Sequence, residues 1–147
     1  MPTIQRFDHV GITVADLDHV STFFLALGLQ VQAGPMDVEG DFLDTVIGIP
    51  GSHTRIVVLR APHGGTLLEL SSSTRPEHQI GSPTAMATEP GLRNVAFEVD
   101  DLDALLQRLA ADGYGLVGGV GEHQHTWRMA YVRRPEGITI SLAERLG

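Results

Sequence analysis

The chain has 147 residues, and its hydrophobic share of 42% supports a folded core of about one domain. It has no cysteine, which excludes disulfides, thiolate catalysis and cysteine-ligated metal. Its net charge of −8 with only 10 Lys and Arg, in no basic stripe, argues against nucleic acid as a partner.

In chain order, Met1 to Arg6 lack the charged-then-apolar pattern of a signal peptide. No apolar run anywhere approaches the ~20 residues of a membrane span, so a cytoplasmic protein is expected. The first element is a strand: Val10, Ile12 and Val14 share one face, while His9, Gly11 and Thr13 share the other. A helix follows. Asp16 can cap it by accepting free N–H groups of its first turn, and Leu17, Val20, Phe24 and Leu27 make one stripe. Gly28 suits the left-handed backbone that ends such a helix.

Pro35 to His53 reads as an insertion containing a short amphipathic helix, with Phe42, Val46 and Ile47 at helical spacing, placed to cap a pocket. Two strands come next, Arg55 to Pro62 and Gly65 to Leu70, joined by a turn. Ser71 to Arg93 is rich in Ser, Thr and Pro and reads as a linker.

The chain then repeats itself. His9-Val-Gly-Ile-Thr-Val-Ala-Asp-Leu-Asp18 aligns without a gap on Asn94-Val-Ala-Phe-Glu-Val-Asp-Asp-Leu-Asp103, and the same offset carries Gly28 onto Gly113. Asp101 caps a second helix whose stripe is Leu102, Leu105, Leu106 and Leu109. Arg128 to Pro135 parallels Arg55 to Pro62, and Gly137 to Leu142 parallels Gly65 to Leu70, with one extra Gly in the first copy. Neither half could bury its sheet alone. The expectation is an α+β fold of two tandem βαβββ modules forming facing curved mixed sheets with helices outside. The whole chain is one domain, with module 1 at about 5–71, a linker at about 72–92 and module 2 at about 93–145.

Phe7-Asp-His-Val-Gly-Ile-Thr-Val14, Gly91 to Asp101, and the turn Arg134-Pro135-Glu136-Gly137-Ile138 together resemble the vicinal oxygen chelate superfamily of glyoxalases, bleomycin-resistance proteins and extradiol dioxygenases. The resemblance implies a divalent metal held at four inward positions, on the first and last strand of each module. Here they carry His9, Glu69, Asn94 and Ser141. The first two fit the family pattern, whereas His and Glu would be usual at the last two. Gly91 to Leu109 resembles the second module of methylmalonyl-CoA epimerase. The dioxygenase branch fits worse, since its iron site draws on the positions of Asn94 and Ser141.

The residues themselves point the same way. His9 and Glu69 lie on the less apolar faces of strands that can be neighbours, and an imidazole with a carboxylate suits Zn²⁺, Ni²⁺, Mn²⁺ or Fe²⁺. Glu69 and Glu98 are the candidate catalytic carboxylates; Glu98 shares a face with Asn94. Asn94, Arg128 and His125 are candidates for substrate binding. His123 and His125 would share a face if they lay on one strand; a solvated loop is the alternative. Arg128 matches Arg55 in the repeat, so a structural role stands beside anion binding. Trp127 and Tyr131 share a face with Met129 and read as core or interface.

The resulting expectation is a glyoxalase-like, metal-assisted isomerase, lyase or epimerase acting on a small carbonyl or carboxylate (thioester) compound. The alternative is a metal-free small-molecule or drug-binding protein. A homodimer is implied by the resemblance.

Overall fold

A computed structural model describes residues 1–133 and 135–147. Arg134, part of the turn quoted above, lies outside the described residues. The chain divides into two compact units, Met1–Ile80 and Gly81–Gly147, each built on a four-stranded mixed sheet. The fold is α+β with two modules, as the repeat predicts.

In the first unit the order is β1 (His9–Thr13), α1 (Leu17–Ala26), β2 (Gln30–Glu39), α2 (Asp41–Ile47), β3 (His53–Arg60) and β4 (Leu67–Arg75). The sheet runs β1-β4-β3-β2, with β1 parallel to β4 and the other pairs antiparallel. Asp16 caps α1 by accepting from His19 N at 3.0 Å, and Gly28 follows its end at φ +107°. α1 buries Leu17, Val20, Phe23 and Phe24, and β3 and β4 bury Val57, Leu59, Leu68 and Leu70. Their alternation leaves Leu67 and Glu69 on the opposite face of β4.

The second unit repeats the plan: β5 (Val95–Val99), α3 (Leu102–Ala111), β6 (Gly121–His123), β7 (Trp127–Arg133) and β8 (Thr139–Arg145), in sheet order β5-β8-β7-β6. Asp101 accepts from Ala104 N at 3.0 Å. Leu102, Leu109, Ala130, Val132, Ile140 and Leu142 form its core.

Three boundaries differ from the sequence reading. β2 and β3 take the ends of the expected insertion, because Met36 to Glu39 pair with His53 to Ile56. β4 continues through Arg75 into the expected linker, because Ser71 to Ser73 pair with Thr54 to Ile56. Ladder hydrogen bonds outweigh the polar composition that suggested a loop there. The short helix of the insertion forms as α2, yet it buries none of its residues: Phe42 is 82% and Val46 66% exposed.

No helix among the described residues is long and apolar enough to cross a membrane.

Candidate functional site

The parallel pairing of β1 with β4 sets His9 opposite Leu67 and Gly11 opposite Glu69. His9 and Glu69 therefore share a sheet face, two residues apart in register. His9 Nε2 stands 3.6 Å from Glu69 Oε2, with the two side chains 43% and 30% exposed. The pair is open to solvent on a face whose reverse side is core.

Gly11 lies on that face directly opposite Glu69 and two residues along β1 from His9. A Cβ there would meet nothing within 4 Å, and its φ is not in the left-handed region. Neither backbone geometry nor packing among the described residues requires glycine at this mid-strand position, where it costs about 0.5–1 kcal/mol. Its effect is to leave space beside the two polar groups.

Behind His9 stands a residue that the sequence reading did not single out. Asp8 Oδ2 lies 2.8 Å from His9 Nδ1, and Arg6 Nη2 lies 2.8 Å from Asp8 Oδ1. The hydrogen bond to Asp8 is the main cause that raises the His9 pKa above the usual imidazole value; burial opposes it, and the Glu69 and Asp8 charges add to it. The same bond is the main cause that lowers the Asp8 carboxyl, helped by Arg6. An acidic residue directly before a candidate histidine was the available signal.

In the second unit the equivalent positions are neutral. Asn94 Nδ2 donates to the Tyr131 hydroxyl at 3.2 Å. Tyr131 is paired in register with Ser141, whose buried Oγ has no hydrogen-bond partner among the described residues. Tyr131 thus belongs to a polar cluster, where the sequence suggested core or interface.

The other candidates are engaged elsewhere. Glu98 lies 3.5 Å from Arg145 Nε, and the Arg145 guanidinium stacks over Trp127 at 4.4 Å. Arg128 donates to both carboxylate oxygens of Asp103 at 3.1 and 2.9 Å. His123 ends β6, while Gln124 and His125 form the turn beyond it with φ of 48° and 55°. The alternation that would aim both histidines at one face is therefore broken, and His125 is solvated, 3.6 Å from Glu122.

The donor set can be tested against a metal. His9 Nε2 and Glu69 Oε2 are chemically suitable ligands, but no group of three His, Asp or Glu that could hold an ion occurs among the described residues. Catalytic zinc sites use three protein ligands. An amide committed to a tyrosine and a serine hydroxyl do not make up the difference, so these residues do not fit a metal centre.

Comparison with known proteins converges on one family. The model of the Glyoxalase/Bleomycin resistance protein/Dioxygenase superfamily matches residues 8–131. A glyoxalase family protein from Bacillus cereus is 35% identical, with a TM-score of 0.94, covering 99% of this chain and 97% of its own. The trypanothione-dependent glyoxalase I of Leishmania major shares the fold at 21% identity and a TM-score of 0.64, covering 96% of this chain and 87% of its own. So does an antibiotic-binding protein from Streptomyces, at 20% identity, a TM-score of 0.62 and 99% coverage of both chains. No curated protein matches. With a family model spanning most of its length and a relative of that identity, the chain belongs to the Glyoxalase/Bleomycin resistance protein/Dioxygenase superfamily.

Proposed function

We propose that the protein is a glyoxalase-type enzyme that moves a proton on a small carbonyl or carboxylate compound, with His9 and Glu69 as the working pair. The observation that carries this reading is their approach to 3.6 Å on an open sheet face, beside the space left at Gly11. A carboxylate and an imidazole, each able to take a proton and return it, fixed on adjacent strands, are the minimum for acid–base catalysis. When protonated, the imidazole can also hold the anionic end of a carboxylate substrate. Superfamily members typically bind a divalent metal. With two suitable donors brought together on this face among the described residues, the chemistry is assigned to the side chains themselves. Glu98 is not used, because Arg145 holds it.

Thermal shift and turnover against a panel of 2-oxoaldehydes, 2-oxo acids and acyl thioesters test the reading. A compound that is turned over by the wild type should be lost to His9→Ala/Glu69→Ala. It should be weakened by Gly11→Val, which fills the space without straining the strand. Turnover unchanged by the double substitution would defeat the proposal.

The second reading is a binding protein without catalysis. The uncharged Asn94 and Ser141 at the second module's equivalent positions, with Tyr131 beside them, favour it. A thermal shift with an aromatic or bleomycin-type ligand, and no turnover across the panel, would select it. A cytoplasmic homodimer is proposed with either reading. Sedimentation at micromolar concentration checks the dimer, and cell fractionation checks the location.

A further inference from the structure

We propose that Asp8 is a positioning residue that fixes the tautomer and aim of the His9 imidazole, with Arg6 holding its second oxygen. The inference rests on the reading of His9 as a working group and adds residues outside that pair.

The geometry is a short chain of contacts at the mouth of β1. Arg6 Nη2 meets Asp8 Oδ1 at 2.8 Å, Asp8 Oδ2 meets His9 Nδ1 at 2.8 Å, and His9 Nε2 faces Glu69 Oε2 at 3.6 Å. An ionised carboxylate only accepts hydrogen bonds. Asp8 is within hydrogen-bond distance at 2.8 Å and Glu69, at 3.6 Å, is not, so the neutral ring carries its proton on Nδ1 and Nε2 presents its lone pair on the Glu69 side. This is how a partner on one imidazole nitrogen decides what the other can do.

Asp8 is well placed for the task because its backbone is anchored. Its carbonyl accepts from Leu67 N at 3.1 Å, at the start of the β1–β4 ladder. The carboxylate is therefore carried on fixed backbone, although the side chain itself is exposed. His9 needs such a partner, since a side chain 43% exposed is not held by packing alone. Exposed ion pairs contribute little stability, so the consequence of this bond lies in ring orientation.

The test uses the full-length chain labelled with ¹⁵N, at alkaline pH where the ring is neutral. Long-range ¹⁵N–¹H correlations of His9 distinguish a proton on Nδ1 from one on Nε2. The wild type is expected to show the Nδ1–H form. Asp8→Asn should keep it, because the amide oxygen still accepts from Nδ1. Asp8→Ala should move the signal to a majority of the Nε2–H form, with the melting temperature nearly unchanged.

A wild-type ring protonated on Nε2 would overturn the assignment, and so would an Asp8→Ala spectrum identical to wild type. The wild-type spectrum decides even if Asp8→Ala fails to fold. These spectra report on the ring whether or not any compound is turned over. Failure here is thus distinct from failure of the His9–Glu69 reading, which is decided by the turnover panel.

Discussion

Arg128 of β7 grips Asp103 in the first turn of α3 through two hydrogen bonds, and Arg55 of β3 stands 3.6 Å from Asp18 in the first turn of α1 at the matching repeat positions. The same strand-to-helix tie occurs in both modules. A residue repeated with its partner in both halves is explained by architecture. The Glu144 carboxylate reinforces the second copy by accepting from Leu102 N at 2.9 Å, at the start of the same helix.

Replacing Arg128 by Met should therefore lower thermal stability without altering the affinity for any compound found to bind. Arg55→Met should cost less, because its side chain is the more exposed and its contact the longer. Loss of ligand affinity in Arg128→Met at unchanged stability would return Arg128 to the substrate site. Calorimetry and a binding titration on both variants decide it.

Two carboxylates should make stability fall in acid. Asp103 is held below the ordinary 3.8, chiefly by the Arg128 hydrogen bonds. Asp44 is lowered first by its bond from Ser52 Oγ, then by the Gly51 and Ser52 amides, at 2.6, 2.8 and 2.9 Å. A depressed folded pKa means that the unfolded chain takes up the proton first as pH falls. The stabilisation is complete above the ordinary value and is lost as pH drops through the folded one. Urea unfolding of Asp44→Asn/Asp103→Asn should show lower stability at pH 7 and a shallower fall below about pH 4 than wild type. Parallel curves would refute this.

Gly137 should be intolerant of any side chain. A Cβ there would sit 2.3 Å from Pro83 Cα, and φ is +79°. Clash and left-handed strain coincide, so Gly137→Ala should cost about 2 kcal/mol or more in chemical denaturation. The expected damage includes loosening of residues 81–93, which Arg133 also holds by donating to Ala85 O at 2.5 Å.

Ser141→Ala should leave stability unchanged or slightly raised. A buried hydroxyl without a partner costs about 1–3 kcal/mol of desolvation, and removing it leaves a cavity of only one atom. A loss above about 1 kcal/mol would mean that the hydroxyl has a partner in solution. By contrast, Phe24→Ala at a fully buried core position should cost about 3–5 kcal/mol.

The sequence by itself determined the two strand–helix units, their order and their caps. Alternation, helical stripes, Asp16, Asp101, Gly28 and Gly113 are local signals, read within a few residues. Alternation also put His9 and Glu69 on the less apolar face of their own strands, and the family resemblance singled out the two positions. Tertiary structure alone decided which polar groups meet. Residues far apart in the chain become neighbours only through strand pairing, and no local period encodes that register. So Glu98 goes to Arg145, Arg128 to Asp103 and Asn94 to Tyr131. The pairing of β1 with β4 brings His9 beside Glu69, and the contact of Asp8 with His9 appears only once the side chains have a direction.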